Sequence, residues 1–138
     1  MKAEELRIGN LVTIDNPKCY AEIKGIPMKV VSINKEYATL QSLTRYRDEY
    51  SQFFEYIKPI PITWQTLSNC GLVTTFKNTA GVIYGFVKDN EIISPHVSLK
   101  YGEPIKFMKR EIYLHDLQNI CFVLTGEEIN ITNLFNQQ

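Results

Sequence analysis

The amino-acid sequence predicts an α+β fold, with a small β-barrel module over residues 1–60 and a helix–β-meander–helix module over 61–138. Short, β-rich apolar segments separated by turn residues fill the first sixty positions. Pro59 and Pro61 mark the end of this strand-rich region, because a central strand cannot hold both prolines. A helical period of apolar residues then appears near the C-terminus. These three observations give the fold class and the boundary between the modules.

The first module begins with alternating apolar residues, in which Gly9-Asn10 predicts a turn or bulge. Asn34-Lys35 predicts the turn of a hairpin, and the polar residues 44–52 predict a loop. The predicted strands are Leu6–Asp15, Ile26–Ile33, Tyr37–Leu43 and Phe53–Ile57. The opening segment, Leu6–Val12, resembles the first strand of KOW- and Tudor-type SH3-like barrels. This resemblance implies that the first module is a small SH3-like barrel.

The second module begins with a short predicted helix over residues 63–70. Thr63 is a suitable N-cap, and Gly71 is a natural residue to follow the helix end. The apolar side chains at Trp64, Leu67 and Cys70 recur every three residues. We therefore expect Trp64 in the core or between the modules, which should pack together because neither alone buries much surface.

Strand candidates and a final helix follow. Gly85 indicates a bulge or a close contact, Asp89-Asn90 indicates a turn, and Pro95 should break the strand pattern. The predicted strands are Leu72–Phe76, Val82–Val87, Glu91–Ser94, Val97–Tyr101, Ile105–Lys109 and Glu128–Ile131. The helix predicted over Tyr113–Thr125 ends at Gly126, and its apolar stripe is Leu114, Leu117, Cys121 and Leu124.

Composition excludes several classes of protein. Lysine plus arginine and aspartate plus glutamate number 15 each, so the net charge is zero, which argues against a strongly basic nucleic-acid binder. The three cysteines are far apart and form no CxxC pair, so the sequence predicts no zinc site, no dithiol motif and no cofactor. The charged N-terminus and the absence of a long apolar run predict a cytoplasmic protein without a membrane partner.

Three segments together resemble a group of small proteins encoded by phages and mobile elements of gut anaerobes. They are Leu6–Asn10, Ile57–Trp64 and Tyr113–Asn119, the last continuing to a Leu-Thr-Gly-Glu-Glu run. The group has no known function, so the resemblance implies the architecture and a mobile-element origin but supplies no catalytic residue.

A polar stripe accompanies the apolar stripe of the C-terminal helix. His115 shares a helix face with Gln118 and Asn119, whereas Asp116 should point about 100° away and form no acid–base pair with His115. One interpretation is a hydrogen-bonded face that fixes the helix against strands. The other is a surface that contacts a ligand or partner, and these three residues are then candidate binding residues.

A basic and aromatic segment gives further candidate binding residues. Tyr101 and Phe107 are interspersed with cations and could stack bases while the cations follow a phosphate backbone. The residues 45–47 repeat this character in a predicted loop. The alternative is an ordinary solvated strand face with inward-facing aromatics. The candidate cations are Lys100, Lys106, Lys109 and Arg110.

No catalytic or metal constellation can be argued from the remaining residues. Cys70 and Cys121 are predicted to be packed, Cys19 is the thiol most open to reaction, and His96 is predicted in a loop. The sequence thus predicts a noncatalytic binding module that contacts protein or nucleic acid, rather than an enzyme. The alternatives are an adaptor or inhibitor of a host protein, and a cryptic small-molecule enzyme using a histidine or a cysteine.

Overall fold

The computed structural model describes residues 1–18, 21–43, 47–70 and 72–129, with the backbone alone at 69 and 93–96. The fold is α+β, as predicted. The α-helices are α1 (Trp64–Asn69) and α2 (Leu114–Thr125), and the strands are β1 (Leu11–Ile14), β2 (Met28–Ile33), β3 (Tyr37–Ser42), β4 (Glu49–Phe53), β5 (Ile57–Lys58), β6 (Val73–Lys77), β7 (Gly81–Lys88), β8 (Glu91–Lys100), β9 (Lys106–Phe107) and β10 (Arg110–Glu111). In the part of the chain that the structure describes, short 3-10 helices cover Ala3–Glu5, Ala21–Ile23 and Phe54–Tyr56.

The chain divides into two compact units. The first unit contains Met1–Ile60 together with Leu114–Asp116, and the second contains Pro61–Tyr113 together with the residues from Leu117 onward. The division along the chain thus falls between Ile60 and Pro61, inside the proline-bearing segment. Within the described residues, each unit has one antiparallel sheet and one cluster of buried apolar residues.

The sheet of the first unit has the strand order β4-β3-β2-β1-β5. The predicted hairpin between β2 and β3 is confirmed, and its turn depends on Asn34, whose Oδ1 accepts hydrogen bonds of 2.8 Å from the backbone N–H groups of Glu36 and Tyr37. In the described residues, no pairing joins the edge strands β4 and β5, so the paired strands form an open sheet. The core beneath it consists of Leu6, Val12, Ile14, Met28, Val30, Ala38, Leu40 and Ile57.

The first strand is shorter than predicted because a tight turn precedes it. The backbone N–H of Asn10 donates to the carbonyl of Arg7 at 3.0 Å, and Gly9 has a φ of +100°. The buried Asn10 side chain completes this turn, since its Oδ1 accepts a 2.7 Å hydrogen bond from the Arg7 N–H. The Gly9-Asn10 turn is confirmed, and strand β1 begins directly after it at Leu11.

Two further predictions in the first unit are wrong. Glu49–Gln52, predicted as part of a loop, belong to strand β4, because this segment pairs in unbroken register with β3 despite its polar side chains. Phe53–Ile57, predicted as a strand, mostly forms the 3-10 helix Phe54–Tyr56, and only Ile57 continues into β5. The edge position of β5 agrees with the prolines that follow it.

The sheet of the second unit has the strand order β10-β9-β8-β7-β6. The predicted bulge at Gly85 is confirmed, since Tyr84 pairs with Val97 while Phe86 pairs with Ile93. Residues 94–96 therefore lie opposite a single residue, and β8 continues through Pro95 instead of breaking there. The bulge explains this error, because a proline at a bulge needs no ladder hydrogen bond.

Other elements of the second unit differ in detail from the predictions. The strand predicted over Ile105–Lys109 is cut short, because Met108 and Lys109 have φ values of +50° and +70° and turn the chain into β10. Glu128 and Ile129, predicted as the start of a strand, lie outside the strands of the described region, and the rest of that prediction falls on residues outside it.

Helix α2 begins and ends close to its predicted limits. Gly126 follows its last residue with a φ of +75°, and its N–H donates to the carbonyl of Phe122 at 2.9 Å. On the predicted stripe, Leu114 and Leu117 are buried, whereas Cys121 and Leu124 are half-buried. The core of the second unit consists of Leu67, Cys70, Leu72, Val82, Tyr84, Phe86, Val97, Ile105, Ile112, Leu117 and Ile129.

Candidate functional site

Helix α1 presents its first residue, Trp64, to the surface. Thr63 caps the helix as predicted: its Oγ1 accepts a 3.2 Å hydrogen bond from the Thr66 N–H, while the Thr66 Oγ1 accepts one of 3.4 Å from the Thr63 N–H. Leu67 is fully buried, but Trp64 is 58% exposed. The prediction that Trp64 lies in a core is therefore wrong, because a helix of six residues inserts its middle into the core and leaves its first residue at the rim.

Trp64 lines a cleft of about 460 Å³ in the second unit, hereafter the aromatic cleft. Its lining residues are Trp64, Lys77, Val82, Tyr84, Leu99, Tyr101 and Gly102. Tyr101 is also largely exposed, at 56%, whereas Tyr84 and Val82 are buried. The cleft thus combines an apolar floor with two accessible aromatic rings and one lysine.

Strand register forms the floor of the aromatic cleft. Val82 pairs with Lys77 on one side and with Leu99 on the other, so the three side chains share one face of the sheet. The β6–β7 turn that bounds the cleft is fixed by Asn78, whose Oδ1 accepts hydrogen bonds from Ala80 N at 2.8 Å and Gly81 N at 3.1 Å. Lys77 is therefore held at the end of the sheet beside the apolar floor.

A second turn places Tyr101 at the cleft. The N–H of Glu103 donates to the carbonyl of Lys100 at 3.0 Å, and Gly102 has a φ of +83°, which is the geometry of a type II turn. The Tyr101 N–H donates to the carbonyl of Ala80 at 3.1 Å, which ties this turn to the β6–β7 turn. Two tight turns thus fix the backbone around the cleft opening.

The predicted basic residues are divided between the two faces of this sheet. Lys100 and Lys106 share the face opposite the cleft, because Lys106 pairs with Ser98, two residues before Lys100. Lys106 Nζ also lies 3.9 Å from the Glu103 carboxylate. Arg110 pairs with Phe107 and so belongs to the other face, while Lys109 lies in the β9–β10 turn.

The predicted polar stripe on α2 is largely buried. His115 is 3% exposed and Gln118 is 1% exposed, whereas Asn119 is half-buried. His115 Nε2 lies 3.5 Å from an Asp116 carboxylate oxygen. The prediction that His115 and Asp116 form no pair is wrong. Adjacent helical residues differ by about 100° in their Cα–Cβ directions, but the Nε2 atom at the tip of the imidazole extends far enough to approach the carboxylate.

None of the cysteine and histidine side chains that the structure describes lines the aromatic cleft. Cys70 and Cys121 line a different cavity in the second unit, whose lining does not include His115. His96 lies on strand β8 rather than in the predicted loop, and its side chain is outside the described part of the structure, as are Cys19 and residues 45–46. Within the described residues, no three His, Cys, Asp or Glu side chains are grouped as metal ligands.

Comparisons of the chain with family models, with curated proteins and with solved structures found no match. The relation to phage and mobile-element proteins therefore stays a prediction. None of the helices in the described residues is long and apolar enough to span a membrane.

Sequence reasoning identified only part of the aromatic cleft. Tyr101 belonged to the basic and aromatic segment, but Trp64 was predicted in the core or between the modules, and Lys77 was not among the candidate binding residues. The sequence signal that indicates exposure of Trp64 is its position directly after an N-cap in a very short helix, where few neighbours can cover a large ring.

Proposed function

We propose that the protein is a noncatalytic binding module that binds single-stranded nucleic acid, with an unpaired base stacked in the aromatic cleft. The observation that carries this proposal is the exposure of Trp64 and Tyr101 on one cleft that also includes Lys77. Stacking of a base on an aromatic side chain contributes about 1–3 kcal/mol and tolerates any sequence, because every base has a π-face.

The size and charge of the cleft suit this ligand. Its volume of about 460 Å³ falls within the range of small-molecule sites, so one base and its sugar can be accommodated. Lys77 can contact a phosphate beside a stacked base, and such a contact releases condensed counterions. The balanced net charge then predicts modest, local binding rather than general affinity for nucleic acid.

The lining of the cleft also supports a noncatalytic role. Among the described lining residues, Lys77 and two tyrosines carry the only ionisable side chains, and no Cys, His, Asp or Glu is among them to act as a nucleophile or carboxylate base. Elsewhere, burial raises the pKa of the Cys70 thiol to about 12, so that thiol stays protonated at neutral pH.

The experiment uses Trp64, which is the only tryptophan of the chain. Titration with short single-stranded oligonucleotides at about 50 mM salt should quench its fluorescence, while duplex of the same sequence should have much less effect. In an anisotropy assay with a labelled strand, Trp64→Ala should weaken binding by about 5- to 150-fold, the equivalent of one stacking contact. Lys77→Ala should reduce the salt slope by about 0.7.

Phe76→Ala provides the matched control, because Phe76 is equally exposed but does not line the aromatic cleft. Absence of binding to any DNA or RNA strand at low salt would refute the proposal. Equal losses in Trp64→Ala and Phe76→Ala would also contradict it, because the cleft would then have no special part in binding.

For the first unit, we propose an SH3-like barrel. Its support is the strand order β4-β3-β2-β1-β5 together with the 3-10 helix Phe54–Tyr56 between β4 and β5. In the second unit, the order of α1, the β6–β7–β8 strands and α2 supports the proposed helix–meander–helix arrangement. Nuclear Overhauser contacts in the full chain test both assignments, and contacts that require other strand neighbours would refute them.

A second candidate function is an adaptor for a host protein. It is favoured by the sheet face opposite the cleft, where Phe76 is 55% and Ile92 54% exposed and Val87 is also exposed. Exposed apolar groups on one face are typical of protein-binding surfaces. A pull-down should recover one partner with wild type and lose it with Phe76→Ser, and recovery of the same proteins by both would count against this function.

A further inference from the structure

Two thiols share a small cavity in the second unit. Cys70 is the C-cap residue of α1, and Cys121 lies in the second half of α2. Both line a cavity of about 160 Å³, although 50 intervening positions separate them in the sequence, from 71 to 120. The tertiary fold therefore brings together two cysteines whose spacing gave no motif.

The surroundings of Cys121 leave its sulfur at the cavity. Its Sγ lies 3.6 Å from the Thr125 Oγ1 and 3.8 Å from the Glu127 carbonyl oxygen, at the end of α2. Cys121 is half-buried, whereas Cys70 is 8% exposed. The remaining lining residues are Leu72, Phe86, Val87, Glu128 and Ile129.

The two sulfurs also influence each other electrostatically. Burial raises the pKa of the Cys70 thiol, and the charge of a Cys121 thiolate raises it further. The shared cavity is the geometric observation that places the two thiols near one another.

We propose that Cys70 and Cys121 form an intramolecular disulfide by exchange with a low-molecular-weight disulfide such as oxidised glutathione. This inference does not depend on the proposed function. The bond would join the end of α1 to α2 within the second unit.

The more exposed thiol reacts first. Cys121 loses its proton to water, and its thiolate attacks one sulfur of oxidised glutathione, which releases one glutathione thiolate and leaves a mixed disulfide on Cys121. Cys70 then loses its proton and attacks the Cys121 sulfur, which expels the second glutathione thiolate. Two protein thiols are oxidised and one glutathione disulfide is reduced to two thiols once water returns the protons, so electrons and atoms balance.

The rate should increase steeply with pH. Burial and the carboxylates of Glu128 and Glu127 raise the pKa of Cys121, while the hydrogen bond with Thr125 opposes them. Both thiols are consequently protonated at neutral pH, and each must ionise before it attacks. The exchange should therefore be slow at pH 7 and still accelerating above pH 9.

The test incubates the full-length protein with oxidised glutathione, blocks remaining thiols with N-ethylmaleimide and maps peptides by mass spectrometry. The expected product is a linked pair of the peptides containing Cys70 and Cys121, with Cys19 absent from the linked pair. Cys70→Ala should stop the reaction at the mixed disulfide on Cys121, and Cys121→Ala should abolish linkage.

A measurement on the reduced wild-type protein tests the proposal without any variant, so a variant that fails to fold does not affect it. Phenylarsine oxide, which bridges two neighbouring thiols, should protect Cys70 and Cys121 together from alkylation while Cys19 still reacts. A stable glutathione adduct on Cys121 in wild type, linkage through Cys19, disulfide-linked dimers only, or failure of the arsenical to protect both thiols would overturn the proposal.

Discussion

Substitution of Gly81 by alanine tests the close approach of β7 and β8 beside the aromatic cleft. A Cβ atom at this position would overlap the carbonyl oxygen of Leu99 and would lie 2.9 Å from the Lys100 Cα. Both obstacles are backbone atoms, so no side-chain rotation can relieve the overlap. The strands must separate at this end, where Gly81 pairs with Lys100.

The cost can be worked out from the hydrogen bonds at this end of the sheet. Displacement of the chain at Gly81 away from β8 would weaken two hydrogen bonds. They are the bond from Tyr101 N to the Ala80 carbonyl and the bond from Asn78 N to the Gly81 carbonyl. Each contributes about 1 kcal/mol net, so their loss should lower the free energy of unfolding by about 2 kcal/mol. Alanine also restricts the unfolded chain, which restores up to ~1 kcal/mol, and residual strain between the strands cancels that gain.

Urea denaturation and amide exchange measure this effect. Gly25→Ala is the matched control, because Gly25 has a φ of +74° but nothing within 4 Å of an added Cβ, so only backbone strain of about 1 kcal/mol is expected. Amide exchange at Tyr101 should accelerate in Gly81→Ala and not in Gly25→Ala. If Gly81→Ala unfolds at the wild-type urea concentration and Tyr101 stays protected, the two strands do not approach as described.

Three further predictions concern a strained turn, a titrating thiol and a buried amide. Replacing Met108-Lys109 by Asn-Gly should raise the free energy of unfolding by about 1 kcal/mol, because both residues have positive φ, and a lower urea midpoint would contradict this. The raised pKa of Cys70, about 12, stabilises the fold below pH 9, and this contribution should be lost as pH rises from 9 to 12. Cys70→Ala should flatten that decline, and an unchanged pH profile would argue against the buried thiol. Asn10→Ala should cost about 1–3 kcal/mol by leaving the Arg7 N–H without its 2.7 Å partner, and equal thermal stability of the variant would refute that role.

The candidate site was only partly predictable from the sequence. The basic and aromatic segment contained Tyr101, but the assignment of Lys100 and Arg110 to opposite faces depends on their partners in neighbouring strands. The exposure of Trp64 depends on how far α1 inserts into the second unit, and the periodicity of apolar residues gives no measure of that depth.

The sequence by itself determined the α+β class and the features that depend on local backbone preference. Asn34 and Asp89-Asn90 specified hairpin turns, Thr63 specified a helix start, and Gly126 specified a helix end, because each acts on atoms within four residues of itself. Only the tertiary structure decided that Glu49–Gln52 are part of a strand, that β8 runs through Pro95 and that two distant thiols share a cavity. The physical reason is the same in each case: pairing and burial depend on atoms from distant parts of the chain, which a local pattern does not specify.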